Sequence, residues 1–466
     1  MKKTLQSLIL LAFISLSATA QTQIWGTSYS GGATGQGTIF SADGNGNNFH
    51  TVYNFINASG AMPVGRMCLA GNGSLYGCTE LGGFGDSCVS FRYDIVSGTY
   101  TNIHDLFANT LLGWESWSGM MLASDGKMYG TCAAGGQNGG GVIFKIDPAN
   151  DQYYDIFDFD NVNGGNPYGG LTQFPDGKLY GTTFNGGANG DGVIFSFDPA
   201  TSVYTKLYVF DGVGGAHPKF GDVMQGTDGK IYGMTSMGGA SNNGIVYSFD
   251  LSTGTFTDIH DFDGLQGSGP VGGLVQAANG MIYGMTPYGG SFSQGVVFSI
   301  NPATNAFTDI LDFNGSNGAN PTRSLTQSGN MLFGTTNGGG ATGEGVSFSI
   351  NFTINTYTKL ADFSALTTGA HPNGEITITP EFASVGVASL TSNSGISIYP
   401  NPAVNSLTVS NSENEEVINF TDVLGRELST IKTSALTKTT VDITSFPNVF
   451  FAKTKNGLTE KFVREK

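Results

Sequence analysis

The segment Gly170–Phe210 reads GLTQFPDGKLYGTTFNGGANGDGVIFSFDPATSVYTKLYVF, and its pattern decides the fold. Two apolar-rich runs, 170–174 and 178–183, flank Pro175-Asp176-Gly177, and Asp-Gly between such runs is a strong hairpin signal. A third run, 192–198, follows the loop 184–191. Pro199-Ala200-Thr201 then presets a tight turn, since proline fits the second position of a type I turn, and 203–210 supplies a fourth run. Helix periodicity is absent, and glycine at this density opposes a helix by roughly 1 kcal/mol per residue. The unit is a four-stranded meander.

Copies of this unit run along most of the chain. Aromatic-Gly pairs occur at Trp25-Gly26, Tyr76-Gly77, Tyr129-Gly130, Tyr180-Gly181, Tyr232-Gly233, Tyr283-Gly284 and Phe333-Gly334, each followed by a Gly-Gly doublet and an apolar run. The glycines are spaced by 51, 53, 51, 52, 51 and 50 residues, the mark of one supersecondary unit repeated. Seven four-stranded units predict a seven-bladed β-propeller, because radial closure hides the sheet edges. The first unit begins at its second strand, near Ile24, while Gly369-Ala370-His371-Pro372 repeats Gly215-Ala216-His217-Pro218 after the seventh. The strand 376–379 is therefore expected to close the ring as the inner strand of the first blade.

Composition divides the chain in two. Residues 24–382 hold 10 Lys or Arg against 28 Asp or Glu, whereas residues 395–466 hold 8 of each, and 68 of the 71 glycines precede Gly395. The reading is a signal peptide over 1–20, a propeller over 21–382, a linker over 383–394 and a small β-rich domain over 395–466. Lys2 and Lys3, the apolar run from Leu8 to Leu16, and Ala18-Thr19-Ala20 before Gln21 carry the signal-peptide pattern. No other segment approaches the roughly 20 apolar residues of a membrane span, and no cysteine follows the cleavage site to accept a lipid. An acidic propeller repels nucleic acid and anionic membranes and suits neutral glycans, proteins or cations.

The repeats resemble the Gly-rich tandem units called GloVer repeats, and their layout is similar to kelch blades. That resemblance implies the propeller fold and leaves activity open. Ile396-Ser397-Ile398-Tyr399-Pro400-Asn401-Pro402, Leu407-Thr408-Val409, Asp422-Val423-Leu424-Gly425-Arg426-Glu427-Leu428 and Lys461-Phe462-Val463 resemble the type A sorting domain of type IX secretion. The family pattern implies an Ig-like β-sandwich recognised at the outer membrane, so the secretion machinery is the expected partner and the cell surface or the medium the destination. Tyr399, Pro400, Asn401, Pro402, Gly425 and Arg426 carry the motif. One departure is Pro447-Asn448-Val449-Phe450, where the family usually has glycine before an aromatic strand.

The candidate site is expected on the face of the long loops, which join strands two and three and lead from strand four into the next blade. The six loop prolines, Pro63, Pro167, Pro218, Pro270, Pro321 and Pro372, and the Gly-Gly doublets read as structural. The loop entering the third blade lacks the proline and carries Trp114, Glu115 and Trp117, a set able to stack a sugar ring or anchor a protein. Asp191 and Glu344 precede the third strand at matching positions and are expected to cap that loop. Asp158 to Asp160 and Asp261 to Asp263 offer oxygens to calcium without the dense spacing of a calcium loop, so no cofactor is expected. His104-Asp105 and His260-Asp261 lie on outer strands, where adjacent residues point to opposite faces, and do not read as catalytic dyads. No catalytic residue stands out, and no nucleophile elbow, HExxH motif or phosphate loop is present. Cys78 and Cys88 bracket one loop and are the expected disulfide, with two free buried thiols as the alternative and the state of Cys68 and Cys132 open. The reading is a secreted or surface-displayed binding module for a glycan or protein. Its rivals are a glycan-active enzyme using carboxylates at the channel mouth and a structural surface protein.

Overall fold

The computed structural model describes residues 22–84, 88–106 and 110–380, together with strands between 396 and 463. The chain divides into two compact units at Glu381/Phe382. The first is a seven-bladed propeller of antiparallel sheets, six of four strands and one, the first blade, of five. Blade 4 is typical, running outward as Thr172–Gln173, Leu179–Thr183, Val193–Asp198 and Val203–Val209. The inner strand is shorter than expected, two residues where the sequence reading gave five.

Ring closure occurs as the sequence reading expects. Thr377–Pro380 pairs with Thr22–Ser30, Trp25 opposite Thr377 and Thr22 opposite Pro380. Trp25 is 3% exposed and its indole N–H donates to Thr379 Oγ1 at 3.0 Å, so the aromatic-Gly position of blade 1 also latches the closing strand.

The aromatic-Gly pair has a packing cause. A Cβ on Gly26, Gly77, Gly130, Gly181, Gly233, Gly284 or Gly334 would lie 2.3 to 2.8 Å from the ring or hydroxyl of the third-strand aromatic opposite it, which is Tyr247 for Gly233 and phenylalanine elsewhere. The glycine makes room for that ring, and the rings fill the cores between blades, where Phe91, Phe144, Phe195, Tyr247, Phe298 and Phe348 are all fully buried. The tyrosine of the pair reaches back to the hairpin: Tyr180 Oη donates to Asp176 Oδ2 at 2.8 Å, as Tyr129 does to Asp125 and Tyr232 to Asp228. One aspartate thus shapes the turn and fixes the aromatic.

A feature with no signature in the sequence is a β-bulge between the third and fourth strands of every blade, for example between Ile194 and Phe195 and between Val246 and Tyr247. Bulges increase local twist, which suits outer strands that must splay as the blade widens.

The second unit contains a three-stranded sheet, Ile396–Tyr399, Ser406–Asn411 and Thr437–Asp442, and a four-stranded sheet, Glu427–Thr433, Glu416–Asp422, Val449–Thr454 and Thr459–Val463. Ile418 and Phe420 are fully buried. Tyr399 ends the first of these strands, while Pro400, Asn401, Pro402, Gly425 and Arg426 lie outside the described residues, as does the signal-peptide segment.

Candidate functional site at the channel mouth

Each inner strand is entered through two positions, the first glycine in five of the seven blades and the second glycine in three. The outer of these is Gly65, Ser118, Gly169, Gly221, Gly272, Arg323 and Gly374, and the next is Arg66, Gly119, Gly170, Asp222, Gly273, Ser324 and Glu375. Glycine is required because neighbouring backbones touch here: a Cβ on Gly221 would sit 2.3 Å from the Gly272 carbonyl oxygen, and one on Gly169 would sit 2.4 Å from that of Gly221. Where glycine is replaced, the replacement is polar or charged.

These departures meet in one hub. Arg66 lies 3.6 Å from Asp222 Oδ2 and 3.7 Å from Glu375 Oε2. Glu375 accepts from Ser324 Oγ at 2.6 Å, Ser324 accepts from the Gly273 N–H at 2.8 Å, and Asp222 accepts from the Gly170 N–H at 2.8 Å. Arg323 donates through Nε to Asn373 at 3.0 Å and through Nη1 across the channel to the Trp117 carbonyl at 3.2 Å. Every blade contributes an atom to this network. Burial and the neighbouring Glu375 push the Asp222 carboxyl up to about 6, so two carboxylates share one arginine and the first holds its proton into the near-neutral range. Below the hub the channel is a cavity of about 710 Å³ walled by residues such as Cys68, Met121, Thr172, Met224, Val275 and Thr326.

Above the hub, on the long-loop side, three consecutive blades place an aromatic residue at one equivalent position: Trp117, Tyr168 and Phe220. Ring centroids are 5.5 Å apart for Trp117 and Phe220 and 5.8 Å for Tyr168 and Phe220, and Phe184 meets Tyr168 at 5.3 Å. All four are half-buried. Phe220 has φ 58°, a left-handed conformation that a bulky residue adopts only under constraint, and it follows Lys219, the one-residue insertion of blade 5. Arg323 lies 4.7 Å and Lys219 4.8 Å from the Phe220 centroid.

The three residues singled out in the third-blade loop are not equivalent in the structure. Trp117 belongs to the aromatic arc. Trp114 is 37% exposed, and its backbone pairs with Ala134. Glu115 takes φ 59°, as Met62, Asn166, His217, Gly269, Asn320 and His371 do at the same repeat position, and burial together with the nearby Glu80 raises its carboxyl above the usual range. Glu80 in turn accepts from Tyr29 Oη at 2.7 Å.

The absence of proline from that loop has a packing explanation. In the regular blades the proline Cδ lies against the glycine that precedes the previous blade's third strand, 2.7 Å from a Cβ built on Gly141 in the case of Pro167. Blade 2 has Cys88 at that glycine position, and the facing residue is Ser116. The Ser116 backbone lies beside the Cys88 sulfur, and its hydroxyl donates to the Thr131 carbonyl at 3.1 Å, a bond a proline would forfeit. Cys78 and Cys88 carry free thiols in this structure. They are neighbours in one core cluster, and burial holds Cys88 and Cys132 well above the usual thiol range.

The remaining candidates have local roles. Asp191 and Glu344 cap the loop through their backbone: their carbonyls accept from the His217 and His371 N–H groups at 2.9 and 2.8 Å, and their side chains lie 3.8 and 3.2 Å from the same imidazoles. Asp158 and Asp261 accept backbone N–H groups from the doublet loops at 2.6 Å, and Asp160 and Asp263 accept those of Asn163 and Gln266. His104 and His260 stack on Tyr153 and Phe307, with their Nε2 atoms buried and unpartnered. The hub residues Arg66, Asp222, Arg323, Ser324 and Glu375 went unnoticed in the sequence reading, although their shared departure from glycine was there to find.

Comparison with known proteins follows the same division. Residues 15–225 and 212–400 match the Gloeobacter/Verrucomicrobia repeat, and residues 397–464 match the secretion system C-terminal sorting domain. No curated protein matches. Among solved structures, a putative 6-phosphogluconolactonase from Bacteroides fragilis is 15% identical over 78% of this chain and 99% of its own, with a TM-score of 0.52. A puromycin hydrolase is 11% identical over 73% of this chain and 52% of its own, with a TM-score of 0.50. PorZ, a surface component of the type-IX secretion system of Porphyromonas gingivalis, is 15% identical over 92% of this chain, which spans 63% of the PorZ chain, with a TM-score of 0.45. At these identities the likeness concerns the fold alone. Among the described residues, no helix is long and apolar enough to cross a membrane. The sorting domain implies a link to type IX secretion and export to the cell surface or the extracellular space. With two matched spans covering its propeller, the chain belongs to the Gloeobacter/Verrucomicrobia repeat family, and it carries a secretion system C-terminal sorting domain after the repeats.

Proposed function

We propose that the protein is an exported binding module that recognises a glycan on the long-loop face, at the aromatic arc above the hub. Its leader, residues 1–20, directs it across the inner membrane, and its C-terminal sheets form the Ig-like sandwich that the sorting machinery reads. The observation that carries the ligand assignment is the arc itself: Trp117, Tyr168 and Phe220, half-buried and adjacent, with Phe220 in a strained conformation. Flat aromatic surface flanked by carboxylates, here Glu80 and Glu115, suits the apolar faces and hydroxyl groups of sugars. A glycan array with the mature chain tests this, followed by titration of each hit against Trp117→Ala and Trp114→Ala. Loss of one aromatic anchor should cost about 2 kcal/mol of affinity, and the effect is expected at Trp117 and not at Trp114. Equal affinity in wild type and Trp117→Ala would move the site elsewhere.

A second reading, a glycan-active enzyme, draws on Asp222 and Glu375. Paired carboxylates with one raised toward neutrality are what acid/base cleavage of a glycosidic bond requires. Product analysis of each array hit separates the two, since turnover abolished by Asp222→Asn favours the enzyme. A protein that binds no glycan fits a structural surface role.

A further inference from the structure

The propeller is acidic, yet two of its cations gather at the mouth with no carboxylate to pair with. Among the described residues, Arg66, Arg92, Lys127, Lys230 and Lys359 each lie within 4 Å of an Asp or Glu oxygen. Lys145, Lys178, Lys206, Lys219 and Arg323 have no such partner, and of these Lys219 and Arg323 lie together over the Phe220 ring. Arg323 is 3% exposed and its Nη2 is buried without a hydrogen-bond partner. A guanidinium in that position is costly, and burial lowers it to about 10 even though Glu375, Asp222 and Glu80 pull the other way. Lys219 is half-buried, touches only the Phe220 and Phe184 rings, at 4.8 and 5.9 Å, and is lowered by burial and by Arg323. Two like charges held over one aromatic ring repel one another, and cation–π contacts of about 1 kcal/mol do not offset that. The hub carboxylates pair directly with Arg66 and reach Arg323 only through their field, and Lys219 is paired with none of them.

We propose that the mouth takes an acidic saccharide. A carboxylate or sulfate group of the ligand pairs with Lys219 and lies in the field of Arg323, while the sugar ring rests against Trp117, Tyr168 and Phe220. This rests on the glycan-binding reading above and names its ligand class. Lys219 is the accessible donor. Arg323, fixed by Asn373 and the Trp117 carbonyl, is the positioning charge beneath it.

Calorimetric titration of the full mature chain with tetragalacturonate, its methyl ester, a sulfated galactan tetramer and a glutamate tetrapeptide tests the proposal. The ester keeps the sugar rings and removes the charge. Expected is binding of at least one anionic tetrasaccharide about tenfold or more tighter than the ester, weakening as salt rises. Whichever anion binds, uronate or sulfate, identifies the source of the charge. Lys219→Gln should remove that preference and Lys219→Arg should retain it, the readout being the ratio of acid to ester affinity within each variant. Equal binding of acid and ester, or an unaltered preference in Lys219→Gln, overturns the acidic-ligand assignment and leaves the glycan reading in place. Binding of the glutamate peptide as tight as the sugars, or no binding of any saccharide, overturns both.

Discussion

Blade 4 keeps every element of the repeat, whereas the junction of blades 2 and 3 breaks two of them together. Gly192 of blade 4 faces Pro218, and Gly141 of blade 3 faces Pro167, but at the earlier junction Cys88 faces Ser116. The two departures compensate one another, because a residue with a side chain at 88 occupies the space the proline ring fills elsewhere, and the smaller serine at 116 leaves room for it and ties its hydroxyl to the Thr131 carbonyl. The hub obeys the same logic at a larger scale, since Arg66, Asp222, Ser324 and Glu375 replace glycines and are one another's partners. A departure answered by another departure is architecture. Lys219 has no carboxylate partner within the fold, which separates it from Cys88 and Ser116 and is why the site is proposed at the mouth and not at the missing proline.

The comparison breaks most visibly if the ring itself is opened. Ending the chain after Phe363 removes both closing segments, Ala370–Pro372 and Thr377–Pro380, together with Glu375. Loss of cooperative unfolding and of solubility is expected, because two sheet edges become exposed. A truncated protein melting like the full one, by calorimetry, would show that the hub and closing strand are dispensable. Within the intact ring, Glu375→Ala should cost about 3 kcal/mol, measured by urea unfolding, since it strands the buried end of Ser324 and unbalances Arg66. Lys219→Gln, which removes a charge that faces Arg323, should not lower stability and should raise it slightly.

The compensated junction is testable by a double-mutant cycle under reducing conditions. Ser116→Pro alone should destabilise by about 2 kcal/mol through overpacking against Cys88 and loss of the hydroxyl bond to the Thr131 carbonyl, and Cys88→Gly alone by about 1 kcal/mol through an unfilled gap. The double variant restores the pattern of the other blades, so it should be more stable than the sum of the singles by about 1 kcal/mol or more. Strict additivity would mean the two positions are independent. In the exported protein, non-reducing peptide mapping is expected to find Cys78 joined to Cys88, whose thiols are already neighbours. Finding Cys78 unlinked counts against that.

The propeller was legible because repetition multiplies a weak signal. One Asp-Gly turn flanked by apolar runs is an ordinary hairpin, but seven aromatic-Gly pairs near one spacing admit few architectures, and the missing first strand located the closure near residue 376. The hub was not legible in the same way, because its members are single substitutions at 66, 222, 323, 324 and 375, joined only when the ring brings them to one axis. The bulge in every blade lies in backbone register and leaves no residue type behind. Trp117 stands out in the sequence as part of a loop lacking proline, whereas in the structure its distinguishing feature is its place beside Phe220. Its neighbours Tyr168 and Phe220 were passed over because each follows a regular proline loop.

A smaller difference between blades concerns acid. At one position of the outer strand, blades 3, 4 and 6 carry Phe157, Tyr208 and Leu311, while blades 2 and 5 carry His104 and His260. Burial holds both imidazoles below the ordinary histidine value despite Asp105 beside the first and Asp261 and Asp263 near the second. The folded state therefore prefers the neutral ring, and its contribution is complete above the unfolded value of about 6.5 and declines as pH falls through the lower folded value. Asp155 and Asp258 act in the opposite direction: burial and a neighbouring aspartate raise each to about 6, so folding takes up protons there and stability gains as pH drops toward the unfolded carboxyl value. Replacing both histidines by phenylalanine, the residue of blade 3, removes the first term and leaves the second. The gap in melting temperature between His104→Phe/His260→Phe and wild type should widen in the variant's favour between pH 7 and pH 5. A gap that stays constant across that range would mean both rings titrate as they do in the unfolded chain, and the distinction between these blades would then be one of shape alone.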